Sequence, residues 1–372
     1  MLKWNFKILV LASLFLGLVG CNFDEDIPNG PSNNGTETPV EPSTPSDKPS
    51  DKPSDTPTEE PSDKPSEDSP VEPSEPIFPS KPDSPTEPDL EDMTFYRPKT
   101  ATSNANCDIV FEYMPAPGQF INETKTGGFD GTQTTLAAAN DYALGRIKSN
   151  IWVSLGGFGG YIVLGFDHSI LNTGGYDFAV KGNSFNNSSE PGIVYVMKDS
   201  NGDGLPNDTW YELEGCETLL SSTIRDYEVT YYRPTETNAP VKWTDNKGGS
   251  GEIDYLKAYH TQDYYYPLWV EEDSYTLKGT RLESKNYDQS GKGSYWVLPT
   301  YDWGYADNYS ATDRVDNKSK DNKFMISNAI DEDGNEVYLP FIDFIKVQTG
   351  VNSKSGWLGE VSTEILGAYD LN

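Results

Sequence analysis

The residues best suited to chemistry lie in one run, Asp199-Ser200-Asn201-Gly202-Asp203-Gly204-Leu205-Pro206-Asn207-Asp208. Oxygen-bearing side chains fall at its positions 1, 3 and 5 (Asp199, Asn201 and Asp203), and glycine falls at position 6. That is the front half of an EF-hand-like calcium loop, where alternate residues turn inward and glycine permits the sharp bend. The back half departs from the pattern. Position 12 is Trp210 rather than Glu, which leaves Asp208 as the carboxylate able to substitute. Two expectations stay open. Asp199, Asn201, Asp203 and Asp208 could hold calcium with weak, extracellular-type affinity, or the run could be a hairpin turn that simply favours Asn, Asp and Gly. The shorter Asp331-Glu332-Asp333-Gly334-Asn335, between Ile330 and Val337-Tyr338, reads as a hairpin turn.

Catalytic constellations are poor. The two histidines, His168 and His260, lack the spacing of a metal-ligand pair, and no Gly-x-Ser-x-Gly elbow occurs. Carboxylates abound, but nothing singles out a glycosidase pair, so hydrolysis ranks behind binding. Cys107 and Cys216 are permitted a disulfide if the chain is exported, yet the sequence does not bring their Cα atoms together. Without neighbouring histidines they make no zinc site.

Aromatic density in the second half is the stronger signal. Trp243, Tyr255, Tyr259, Tyr264, Tyr265, Tyr266, Trp269, Trp296, Tyr301, Trp303 and Tyr305 crowd a region interrupted by Gly, Asp and Asn. At least half of these rings are expected in the core. In an extended chain the consecutive rings of Tyr264-Tyr265-Tyr266 would point to opposite faces, leaving at least one in solvent. Asp302-Trp303-Gly304-Tyr305-Ala306-Asp307-Asn308 mixes rings with loop-forming residues. Flat rings suit flat ligands, sugar faces or a corrin macrocycle, with amides and hydroxyls setting orientation. Trp243, Tyr265, Trp269, Trp303 and Tyr305 are the expected ligand-binding residues.

These groups need a scaffold, and the sequence supplies strands. One segment alone has helical character, Thr134 to Lys148. Against it stand short apolar or alternating runs bounded by turn residues: 161–164, 177–180, 193–197, 227–232, 275–277, 295–297 and 342–347. Such spacing predicts an all-β domain over residues 93–372, an antiparallel β-sandwich of jelly-roll-like type. Gly156-Gly157-Phe158-Gly159-Gly160 does not make a dinucleotide fingerprint, because the apolar strand follows the glycines at Tyr161 instead of preceding them.

Three stretches carry a resemblance. The first runs from Leu155-Gly156-Gly157-Phe158-Gly159-Gly160-Tyr161 through Phe166-Asp167 to Tyr176-Asp177-Phe178 and Asn183-Ser184-Phe185. The second joins Glu190-Pro191-Gly192-Ile193-Val194-Tyr195-Val196 to Trp210-Tyr211-Glu212-Leu213, and the third spans Phe341-Ile342-Asp343-Phe344 through Gly359 to Glu364. Together they cover most of residues 110–370. The pattern resembles the surface lipoproteins that accompany TonB-dependent transporters in cobalamin-acquisition loci of Bacteroides-type gut anaerobes. The resemblance implies a β-sandwich that binds cobalamin or another corrinoid and hands it to an outer-membrane transporter. The residues alone support a glycan ligand, as in a carbohydrate-binding module, equally well.

The N-terminus agrees with export. Lys3 and Lys7 precede an apolar run, Ile8 to Val19, of signal-peptide rather than membrane-spanning length. Leu18-Val19-Gly20-Cys21 resembles a bacterial lipobox, which predicts a signal peptide over 1–20 and acylation of Cys21. Asn22-Phe23-Asp24-Glu25-Asp26 resembles an export tag for the outer face of the outer membrane. Residues 21–92 read as the lipidated cysteine and a disordered, acidic Pro/Ser/Asp-rich stalk. Prolines recur every fourth residue from Pro45 to Pro65 and apolar side chains are nearly absent, so nothing offsets the entropy of ordering. From Asn22 to Asp92, 20 Asp and Glu face 4 Lys, a balance of −16 within a chain total of −31. That charge extends the stalk and argues against nucleic acid as a partner.

Overall fold

The structure, a computed structural model, describes residues 93–372. The expected signal peptide (1–20), Cys21 and the expected stalk (21–92) lie outside the described residues.

The described chain is all-β, with strands paired antiparallel in several sheets. The largest has six strands in the order Ile109–Met114, Tyr161–Leu171, Phe341–Thr349, Gly192–Met197, Tyr211–Leu213 and Ala329–Ile330. Phe341–Thr349 pairs on both edges, with Tyr161–Leu171 and with Gly192–Met197. Every residue of it except Lys346 is buried. A strand covered on both faces reads as a nearly continuous apolar run, which is why Phe-Ile-Asp-Phe-Ile-Lys-Val shows no clean alternation.

A second sheet orders Asn322–Phe324, Phe178–Gly182, Glu364–Asp370 and Val153–Ser154. A third orders Ser274–Arg281, Ile224–Tyr232, Val241–Asp245 and Ser250–Ile253. In Ile224–Tyr232 the period of two is plain: Tyr227, Val229 and Tyr231 are buried while their neighbours are not. One continuous core unites the three sheets in a sandwich, drawing on Ile162 and Val347, on Phe178 and Ile365, and on Val229 and Tyr231.

The expected helix spans Leu136–Lys148. Thr135 caps it, its Oγ1 accepting the Ala138 N–H at 3.2 Å, and Arg146 and Lys148 occupy the last turn, where the helix dipole favours cations. Its buried stripe is Ala139, Ala143 and Ile147, one residue per turn. No described helix is long and apolar enough to cross a membrane.

Both hairpins expected from turn chemistry are present. The 199–208 run links Gly192–Met197 to Tyr211–Leu213, which pair with Tyr195 opposite Glu212. In the 331–335 turn the Asp331 N–H donates to the Asn335 carbonyl, and Gly334 takes a φ of 86°. Cys107 and Cys216 are both free thiols, so the open question of a disulfide resolves against one. Cys107 is buried and its Sγ accepts the Ala368 N–H at 3.4 Å.

Candidate functional site

Two hairpin-like loops and one strand pair build a cleft around Trp303. Phe324 lies opposite Phe178 in the second sheet, and the two rings stack at 5.4 Å, fixing an apolar floor. Leu213 ends its strand on the same floor, and Met325 and the half-buried Trp303 add to the lining. Lys323 neighbours Phe324 in sequence and also lines the cleft, its ammonium 4.3 Å from the Tyr176 ring centroid. Tyr176 is 37 % exposed and forms part of the rim.

The loop that presents Trp303 is held by backbone contacts. Its carbonyl accepts the Cys216 N–H at 3.1 Å, and the next amide, of Gly304, donates to Asp313 Oδ2 at 2.7 Å. Gly304 has a φ of 92°, and a Cβ on it would stand 2.4 Å from the Gly215 Cα. No other residue permits that close a crossing of two backbones. Asp313 is buried, and burial raises its pKa against the pull of the Gly304 amide and of Asn322. The hydrogen bonds from Gly304 and from Asn322 Nδ2, at 3.0 Å, make Asp313 a strut for the loop.

The cleft encloses about 260 Å³. Sites that surround a whole drug-sized ligand run to roughly 300–1,000 Å³. A larger flat molecule would therefore lodge an edge here and lie across the rim. Apolar rings with a few convergent polar groups (Lys323, Asp313 and Asn328) are the composition such sites share.

Of the five rings expected to bind ligand, Trp303 alone lines this cleft. Tyr265 is fully buried, its hydroxyl accepting the Leu256 N–H and donating to the His260 carbonyl at 2.8 Å. Trp269 is buried between Tyr113 and Phe129, at 5.7 and 6.0 Å. Tyr305 is fully buried against Tyr301, and its hydroxyl accepts the Glu217 N–H. These three are core residues, and the expectation that they sit on exposed loops is corrected. Their segments are loops, but loops folded inward over the second hydrophobic cluster or the main one. Trp243 is half-buried in its strand, where its indole covers Gly251 of the neighbouring strand.

The Asp199–Asp208 loop spends its oxygens on itself. Asp199 accepts the amides of Gly202 and Gly204 at 2.7 and 2.9 Å. Asn201 Oδ1 accepts the Asp203 amide, Asp203 accepts Leu205 N–H and Asn207 Nδ2, and Asp208 accepts the Ser200 amide. The Asn201–Asp203 and Asp203–Leu205 bonds are Asx turns and the rest close the same loop on itself, which suffices to explain the composition. His168 is a satisfied core histidine, bonded to Asp167 at 2.6 Å and to Asp370 at 3.0 Å.

Sequence inspection missed Tyr176, Lys323, Phe324 and Met325 as neighbours of Trp303. Only the pairing of Phe178–Gly182 with Asn322–Phe324 brings them there, and no local spacing announces a pairing of residues as far apart in the chain as Phe178 and Phe324. No protein-family model matches the chain, and no curated protein matches it with significant similarity.

Proposed function

We propose that this protein is a cell-surface lipoprotein, anchored in the outer membrane through Cys21, that captures a small molecule for a TonB-dependent transporter. The observation that carries the binding half of the proposal is the Trp303 cleft, a rigidly braced indole beside Tyr176, Phe324 and Met325. The leading ligand is cobalamin or a related corrinoid, on the resemblance described above. A corrin presents an apolar flat face for the rings and peripheral amides for Lys323, Asp313 and Asn328. A glycan is the second reading, favoured by the cleft's modest volume, which suits one ring of a larger chain. The Asp199–Asp208 hairpin is proposed to add a weak calcium site beside this function.

Calorimetric titration of the purified protein with cyanocobalamin and with a glycan panel tests the proposal. Saturable binding of cyanocobalamin, weakened in Trp303→Ala, supports the corrinoid. Binding of a glycan alone moves the assignment to the second reading. Binding of neither, by a protein with a normal melting curve, sinks ligand capture at this cleft.

A further inference from the structure

A second cavity, of about 220 Å³, lies apart from the Trp303 cleft and has a different character. Its lining includes Glu190, Glu360, Ser362 and Glu364, with Phe120 and Trp152 as walls. Glu190 comes from the turn before Gly192–Met197, and Glu364 opens the strand Glu364–Asp370. Asp307, from the loop that also carries Trp303, joins them. One oxygen from each of Glu190, Asp307 and Glu364 lies within 4.8 Å of the others, and they form the one such acidic group among the described residues.

Asp307 and Glu364 are buried, and Glu190 is half-buried. No lysine, arginine or histidine lines the cavity, and none of these carboxylates takes part in an ion pair among the described residues. Backbone amides supply part of the compensation: Asp307 Oδ1 accepts Asn183 and Ser184, and its Oδ2 accepts Glu364 at 2.9 Å. Ser362 Oγ donates to Glu364 Oε1 at 2.7 Å. Glu190 Oε1 accepts the Ser362 N–H at 3.4 Å, and Glu190 and Glu364 share a side-chain hydrogen bond. Asp307 Oδ1 is saturated by its two amides, so Oδ2, with one, is the oxygen it has to give.

Glu360 is the independent sign that something positive belongs here. It is 97 % buried (3 % exposed) and lines the same cavity. Its Oε1 accepts the Gln119 N–H at 2.7 Å, while its Oε2, also out of reach of solvent, has no hydrogen-bond partner at all. A buried carboxylate oxygen without a donor is costly and calls for an ion or a water to complete it.

We infer that Glu190, Asp307 and Glu364 bind a divalent cation, calcium by their chemistry, in the cavity that Glu360 also lines. Hard carboxylate and hydroxyl oxygens suit calcium, and the absence of His and Cys from the lining disfavours zinc. Because Asp307 stands four residues after Trp303, the ion would also stiffen the loop of the ligand cleft. The inference stands whether or not that cleft binds a corrinoid.

The test is a titration of chelator-treated protein with calcium, followed by calorimetry, and with terbium, followed by luminescence excited through the nearby Trp152. Both are run in an Asp203→Ala background, which removes the hairpin loop as a competing site. One saturable site is expected, with at least tenfold weaker affinity in Glu364→Gln and in Glu190→Gln. Should Glu364→Gln fail to fold, the half-buried Glu190→Gln decides alone. No binding at millimolar ion, or unchanged affinity in the folded Gln variants, overturns the assignment.

Discussion

Asp307 Oδ2 accepts the backbone N–H of Glu364 at 2.9 Å, and through that bond the loop bearing Trp303 is tied to the first residue of the C-terminal strand. Burial, reinforced by the charge of Glu364, pushes Asp307 up to about 8. The bond therefore joins two parts of the molecule through a group that gives up its proton reluctantly. Five residues before that strand residue the chain is still loop; after it, the strand pairs Ile365 with Gly182, whose Cβ position is already filled by Asp307. The Trp303 cleft and the Glu190–Asp307–Glu364 cluster thus draw on residues four apart in one short loop.

Trp303 and Tyr305, two residues apart in that loop, should respond in opposite ways to truncation. Tyr305 is fully buried and hydrogen-bonded, so Tyr305→Ala should cost about 3–5 kcal/mol, the usual range for an aromatic lost from a core. Trp303→Ala should leave melting near normal and weaken the ligand at least tenfold, about 1.4 kcal/mol. Melting curves and titrations on both variants check this. Equal destabilisation by the two would make Trp303 a core residue and move the ligand elsewhere.

Anchoring is tested at Cys21. Acylation requires its thiol, so Cys21→Ala should move the protein from the membrane fraction to the soluble one and end incorporation of labelled fatty acid. Unchanged partitioning and an unchanged label would remove the lipoprotein half of the proposal.

The strands were legible because apolar and aromatic residues collected in short runs between Gly, Asn and Asp, and the helix because Leu136, Ala143, Leu144 and Ile147 recur at helical spacing. Which rings face inward was not legible. Strict alternation at Tyr264-Tyr265-Tyr266 requires an extended strand, but this segment bends, and Tyr265 and Tyr266 are both buried. Glu190, Asp307 and Glu364 are scattered through the chain and meet only in the folded sandwich. Patterns of period two or 3.6 report faces of elements; they do not report which loops cross.

Asp199 separates the two explanations of the hairpin loop. It is buried, and its oxygens accept the amides of Gly202 and Gly204. Asp199→Ala leaves both donors without that partner, an expected cost of about 1–3 kcal/mol. If the amides are the reason for Asp199, the cost measured by denaturant unfolding should be the same with and without chelator. A cost that appears only in calcium would make the metal the reason instead.

Lys346 gives the last prediction, a dependence of stability on pH. It is the one incompletely buried residue of the central strand, and its ammonium lies 4.2 Å from the Tyr195 ring centroid and 5.0 Å from that of Trp210. Burial lowers its pKa from 10.5 to about 8, against the opposing pull of Glu112 and Glu212. The native pKa lies below the unfolded one, so between those values the unfolded chain binds the proton and the native chain does not. Stability from this group must then rise as pH rises from about 8 towards 10.5, and below about 8 it contributes no slope. Buried tyrosines such as Tyr195 and Tyr231, whose pKa values are raised, act in the opposite sense above about pH 10, so the clean window ends near pH 9.5. Lys346→Met keeps the length of the side chain and removes the titrating group. Denaturant midpoints measured from pH 7 to 9.5 should rise for the wild-type protein relative to Lys346→Met, and the difference should begin near pH 8. Parallel curves for the two proteins would mean that the Lys346 ammonium stays charged in its ring-lined site throughout.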